Sequence, residues 1–216
     1  MLDGAARVKP LIEAAEKQGM PAVAVTDHGN LFGAYEWYRT ANGSPVKPII
    51  GLEAYLTPKT HRSERKRVQF GDGTGDDVSA KGAYTHLTMW AENDEGLVNL
   101  IKASSVANLE GRVMRYPRMD KEVLSTYSKG VIASSGCPSG IIQTRLRLGQ
   151  FDEALRAAGE FQDIFGKDNF YIELMDHGLS IESKVTGDLL TIAKKLGAPL
   201  LATNDSHYVM EADKDA

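Results

Sequence analysis

Only one cysteine, Cys137, occurs among the 216 residues, so no disulfide can form within the chain. That fits a reducing compartment and leaves one thiolate available to a metal. Long apolar runs are also absent. The longest are strand-sized, far below the roughly 20 residues needed to cross a bilayer, and the first residues lack a signal peptide's basic-then-apolar order. The sequence reads as cytoplasmic, without a membrane partner. Positive charge is scarce: 25 Lys and Arg stand against 29 Asp and Glu, a formal net charge of −4. Modules that grip duplex DNA unaided cluster cations against the phosphates, so a DNA substrate would have to be delivered by another region. There is no Gly-x-x-x-x-Gly-Lys phosphate loop, Gly-x-Ser-x-Gly elbow, Cys-x-x-Cys pair or internal repeat.

What is present is a soluble composition, 42% apolar and 25% charged, long enough for one core and one domain. In residues 4–18, Ala5, Val8, Leu11, Ile12 and Ala15 fall on one helical stripe and Gly19 ends it. Further helical patterns cover 31–41, 95–108, 120–127, 152–165 and 181–196. They alternate with strand candidates at 21–28, 48–54, 84–91, 131–134, 170–175 and 199–203. Such alternation predicts a parallel sheet, because parallel neighbours need a crossover. Both a barrel and an open doubly wound sheet satisfy it. The first strand favours the barrel: Ala22, Ala24, Thr26 and His28 share one face, Val23, Val25 and Asp27 the other. Small residues would line a narrow interior and branched ones would meet helices. Residues 57–82, rich in Lys, Arg, Asp, Gly and Ser, read as a loop insertion carrying a solvated His61.

In β/α barrels the chemistry gathers at the C-terminal ends of the strands. Here those ends carry Asp27-His28, Glu53, Cys137, and Asp205 with His207. Asp205 and His207, two apart, would leave one face of an extended segment together. Imidazole, carboxylate and thiolate suit Zn, Mn or Fe better than calcium. Singly, each has a plainer reading: Asp27 and Asp205 as helix caps, Cys137 as a buried small hydrophobe, His28 as a loop residue. Jointly they favour a shared site. A Cys-His hydrolase built on Gly136-Cys137-Pro138-Ser139-Gly140 explains fewer neighbours. His86 lies at the start of its strand, the wrong end of a parallel barrel, and His177 is either a substrate-side or a structural residue.

Several segments resemble the N-terminal PHP (polymerase and histidinol phosphatase) domain of bacterial DNA polymerase III α subunits. They are Met1-Leu2-Asp3-Gly4, Val25-Thr26-Asp27-His28-Gly29-Asn30, Gly51-Leu52-Glu53-Ala54-Tyr55, Tyr84-Thr85-His86-Leu87-Thr88, Gly136-Cys137-Pro138, Glu173-Leu174-Met175-Asp176-His177-Gly178 and Asn204-Asp205-Ser206-His207. The resemblance implies an α/β fold, a distorted seven-stranded TIM-like β/α barrel. It also implies a divalent metal cluster held by Asp3, His28, Glu53, His86, Cys137, Asp205 and His207, acting through bound water in a 3′-5′ proofreading exonuclease. Residues 1–216 would form that domain without its first strand, whose His-x-His pair would lie upstream, so the fragment alone is expected to be inactive. The implied partners are a DNA 3′ end, presented by the rest of the polymerase, and other replisome subunits. Two competing readings are an inactive structural domain of the polymerase and a small-molecule phosphatase of histidinol phosphatase type.

Overall fold

The computed structural model describes residues 4–72 and 77–214. Along the chain run α1 (Val8–Lys17), β1 (Ala22–His28), α2 (Ala34–Ala41), β2 (Lys47–Leu56), the single turn α3 (Ser79–Gly82), β3 (Thr85–Ala91), α4 (Asp94–Glu110), β4 (Arg112–Val113) and β5 (Tyr116–Met119). These are followed by α5 (Lys121–Thr126), β6 (Val131–Ser134), α6 (Ile141–Arg147), α7 (Phe151–Phe165), β7 (Phe170–Leu174), α8 (Ser180–Leu196) and β8 (Leu200–Ala202). The six strands expected from sequence all form. The β4–β5 hairpin and α6 carry too short an apolar period to be read in advance.

The strands make one sheet in the order β4-β5-β2-β3-β6-β7-β8, with β1 beside β2. The expectation of a parallel sheet holds for β1 with β2, β2 with β5, β6 with β7 and β7 with β8. It fails for β3, which runs antiparallel to both β2 and β6. Among the described residues no helix intervenes between β2 and β3 apart from the turn at Ser79–Gly82, and without a crossover the chain returns in the opposite direction. Among the described residues β1 pairs only with β2 and β8 only with β7, so the barrel is not closed.

Alternation along the strands separates two faces. Leu52, Ala54, Leu56, Leu87, Met89, Ala133, Phe170 and Ile172 join Leu100, Phe161 and Ile192 from the covering helices in the main core. Burying a side chain of this size contributes on the order of 1.5–3 kcal/mol. Val23, Val25 and Ile50 pack on Ile12, Trp37 and Ala41 of α1 and α2, as the branched face of β1 predicts. The opposite face of the sheet carries Glu53, Tyr55, His86, Thr88, Ser134 and Glu173, by the period of two. The insertion is largely irregular, but it is not merely a solvated loop. Phe70 and Val78 reach the main core, and the Arg145 guanidinium lies 3.5 Å over the Phe70 ring.

Candidate metal centre

The end of β1 meets Glu53 through strand register, since His28 pairs with Glu53 across the β1–β2 ladder. His28 Nδ1 lies 3.3 Å from Glu53 Oε2. The turn after His28 depends on Gly29, whose φ is +67° and where a Cβ would come within 2.8 Å of the Tyr55 ring. β3 supplies the next residue. Because that strand is reversed, its first residues lie at the end where the parallel strands finish, and His86 pairs with Tyr55. His86 Nδ1 donates to Glu53 Oε1 at 2.6 Å. The residue that a parallel barrel would have sent to the far end therefore sits at the centre of the cluster.

The loop after β6 runs beside the start of β3, where the His86 amide donates to the Ser139 carbonyl at 3.1 Å. Gly136, with φ +80°, turns the loop so that Cys137 enters the cluster. Its Sγ lies 3.3 Å from His86 Nδ1 and donates to Glu53 Oε1 at 3.4 Å. Ligand atoms of His28, Glu53 and His86 all lie within 4.8 Å of one another. The buried Nε2 of His86 has no hydrogen-bond partner among the described residues. A buried imidazole nitrogen without a partner, beside a carboxylate, a second imidazole and a thiol, is a donor set that could hold a metal cation.

Electrostatics describe the same cluster. Burial alone would raise the Glu53 carboxyl, but the His86 hydrogen bond and the nearby His86, His28 and Cys137 together hold it below its ordinary value. Burial, and then the charge of Glu53, push the Cys137 thiol well up. Asp205 is raised by burial of its carboxyl and by Glu53, and lowered by His207, His28 and His86. It is thus close enough to feel all four. The extended geometry expected for Asp205 and His207 does not occur: Asp205 is left-handed, with φ +44°, and His207 Nδ1 bonds back to the Asp205 carbonyl at 2.7 Å. Ala5 and Ala6 donate to the carbonyl of His207. Asp3 lies outside the described residues. The structure thus brings His28, Glu53, His86 and Cys137 into direct contact and sets Asp205 near them, with His207 joined to Asp205.

Other candidates resolve differently. Asp27 accepts from the amide of Gly33, the residue before α2, without capping the helix. His177 Nδ1 lies 2.6 Å from Glu182 Oε1, and its Nε2 lies 2.7 Å from the Asn204 carbonyl, which commits both nitrogens to structure. His61, Asp120 and Glu122 form a second group of possible ligands. Arg62 already bonds both of these carboxylates and Glu110, so a cation occupies the group from within. Sequence reasoning missed Glu173. Only 4% exposed, it accepts from Ser134 and Thr203, while its amide donates to Ser135 Oγ. It thereby ties together the strand ends that lead to Cys137 and Asp205. A glutamate late in an apolar strand, heading the segment Glu173 to Gly178, was its signal.

Residues 1–177 match the PHP domain family. DNA polymerase III subunit alpha of Mycobacterium leprae (strain TN) is 54% identical over 211 residues, which are 97% of this chain and 18% of that protein. The same subunit of Saccharopolyspora erythraea is 55% identical over 218 residues, again covering 97% and 18%. That of Borreliella burgdorferi is 41% identical over 216 residues, covering 100% and 18%. The chain thus spans 18% of the length of these curated relatives. Among solved structures, an amidohydrolase from Chromobacterium violaceum with bound sulfate and no metal superposes with a TM-score of 0.56 at 14% identity, covering 95% of this chain and 84% of the other. That likeness is one of fold.

Proposed function

The chain belongs to the PHP domain family, and from that premise we propose that residues 1–216 are the metal-dependent phosphoesterase domain of a bacterial replicative DNA polymerase III α subunit, working as a 3′-5′ proofreading exonuclease in the cytoplasm. One observation carries the reading. Three strands and one loop deliver His28, Glu53, His86 and Cys137 to one end of the sheet, in mutual contact. High identity to polymerase α subunits supports the replicative setting, with DNA and other replisome subunits as partners.

His28, Glu53, His86 and Cys137, with Asp205, His207 and Asp3, would hold a cluster of divalent Zn, Mn or Fe. Bound there, the cations would supply positive charge for a phosphoryl oxygen and acidify a water. The side chains have other tasks. Glu53 holds His86 by a hydrogen bond and lies against His28, fixing the orientation of the imidazoles. Glu173 steadies the two strand ends from behind. No side chain needs to act as nucleophile.

The test is made in the whole polymerase subunit carrying this domain. Glu53→Gln and Asp205→Asn should each reduce bound divalent metal and slow removal of a mismatched 3′ nucleotide by about 10-fold to 100-fold. DNA synthesis should be largely preserved. Unchanged metal content together with unchanged mismatch removal would place the activity elsewhere.

A further inference from the structure

Three tyrosines stand beside the cluster, and none is needed to hold a metal. Tyr55 follows Glu53 by two residues on β2, so strand periodicity sets it on the side of the ligands, and Tyr84, just before β3, is set there by its contact with His86. Tyr116 opens β5 beside them. The rings contact one another: Tyr55 lies edge-on to Tyr84 at 4.5 Å and to Tyr116 at 5.2 Å, with Tyr84 and Tyr116 4.6 Å apart. They also touch the candidate ligands. Tyr84 stacks on His86 at 5.3 Å with the planes 3° apart, and Tyr55 stacks on His28 at 5.8 Å. Each tyrosine is half-buried.

An aromatic knot serving only as core would be covered by aliphatic side chains and lie away from charge. This one is flanked by cations. The exposed Arg115 lies over the Tyr116 ring at 5.2 Å. A second source is the insertion. The buried Arg118 guanidinium donates to the carbonyls of Arg62, Glu64 and Ala83, so the backbone leading into Arg65 and that leading into Tyr84 are held to one side chain. Residues 65–67 are Arg, Lys and Arg, all exposed. In a chain of net charge −4, these exposed cations beside half-buried aromatics have the composition of a site for a single-stranded nucleic acid. Bases stack on the rings and cations track the backbone.

We propose that Tyr55, Tyr84 and Tyr116, with Arg115 and the basic run 65–67, form a subsite that takes the terminal base and adjoining phosphates of an unpaired strand next to the metal centre. The identity of that end as a 3′ terminus rests on the proofreading reading. The subsite gives the domain a reason to prefer a frayed end. A paired base is held in its duplex stack, whereas a mispaired one is released to the tyrosines at lower cost.

The test uses this chain and a short single-stranded oligodeoxynucleotide carrying 2-aminopurine as its 3′ base, with a matching strand whose 3′ residue is abasic. Fluorescence quenching reads stacking, anisotropy reads affinity, and both are measured with and without Mn2+. The base-bearing end should bind about 10-fold tighter than the abasic end. Tyr84→Leu or Tyr116→Leu should erase that preference, while Tyr84→Phe and Tyr116→Phe, which keep the ring, should retain it. Arg115→Gln should weaken both probes alike. Equal affinity of the unaltered chain for the two ends would overturn the proposal, and this comparison needs no variant to fold. Leucine variants that keep both the preference and the quenching would overturn it as well. Mn2+ uptake measured in the same samples separates the two readings. Uptake without a base preference sinks the subsite alone, whereas a base preference without uptake, in this chain and in the whole polymerase subunit alike, sinks the metal reading and leaves the subsite standing.

Discussion

Both ring nitrogens of His177 face oxygen acceptors, the Glu182 carboxylate and the Asn204 carbonyl. A ring that donates from both nitrogens carries a positive charge. The Glu182 hydrogen bond is the main cause that raises its pKa above the ordinary 6.5. The contact therefore stabilises the fold fully below about pH 6.5, and its contribution is lost as the pH rises through the higher folded value. The ring is half-exposed, so water screens the pair and its share of stability is small. Titration of the His177 ring followed by NMR should give a midpoint above that of a free histidine, and Glu182→Gln should return it towards 6.5. A midpoint unmoved by that substitution would contradict the assignment. The sequence left His177 between two roles because its partners lie 5 and 27 positions away, and no pattern of spacing announces a carbonyl as a partner. His28, Glu53 and Cys137 were legible because each lies late in, or just after, a strand of obvious period, which places it towards the mouth.

At the scale of elements, β3 shows where such inference ends. Its apolar alternation disclosed a strand, yet direction is decided by what connects it to β2, and a polar insertion gives no periodic signal. Once the reversal is known, His86 obeys the same rule as its partners. Helix α4 was legible from its pattern over 95–108, whereas its cap, the Asn93 side chain accepting from the Gly96 amide, was not. Less visible is how tightly it is seated. A Cβ at Gly96 would lie 1.7 Å from the Gly130 carbonyl oxygen, and one at Gly111 would lie 1.9 Å from that of Arg118. Backbone thus presses on backbone at both ends of the helix. Gly96→Ala and Gly111→Ala should each lower stability by about 1–3 kcal/mol, as overpacking of a closed interior does. Urea denaturation would read this as a lower midpoint at unchanged slope, and a midpoint equal to that of the parent would show that the helix can shift.

For the molecule as a whole, the proposed cation binding would be coupled to folding. The proposed ligands come from β1, β2, β3 and the loops after β6 and β8, so a bound ion would join elements from most of the sheet. Anything that binds the folded chain alone raises its stability, by about 2.7 kcal/mol at a concentration of 100 times Kd. Divalent manganese or zinc should therefore raise the melting temperature, a chelator should reverse the gain, and Glu53→Gln should abolish it. A melting temperature indifferent to both would count against the site.

The reversal of β3 has one more consequence. The first ladder pair between β2 and β3 beyond the insertion, Leu56 with Thr85, pins both ends of that excursion side by side at the rim where Glu53 and His86 meet. A segment anchored so closely at its two ends can change length at little entropic cost, since closure entropy grows only with the logarithm of loop size. The change is cheap only where the excursion neither reaches the main core, as Phe70 and Val78 do, nor accepts from Arg118, as the Arg62 and Glu64 carbonyls do. The rim thus works as an interchangeable collar: the same ligand cradle can be given a longer, shorter or differently charged approach by exchanging a single contiguous stretch of chain.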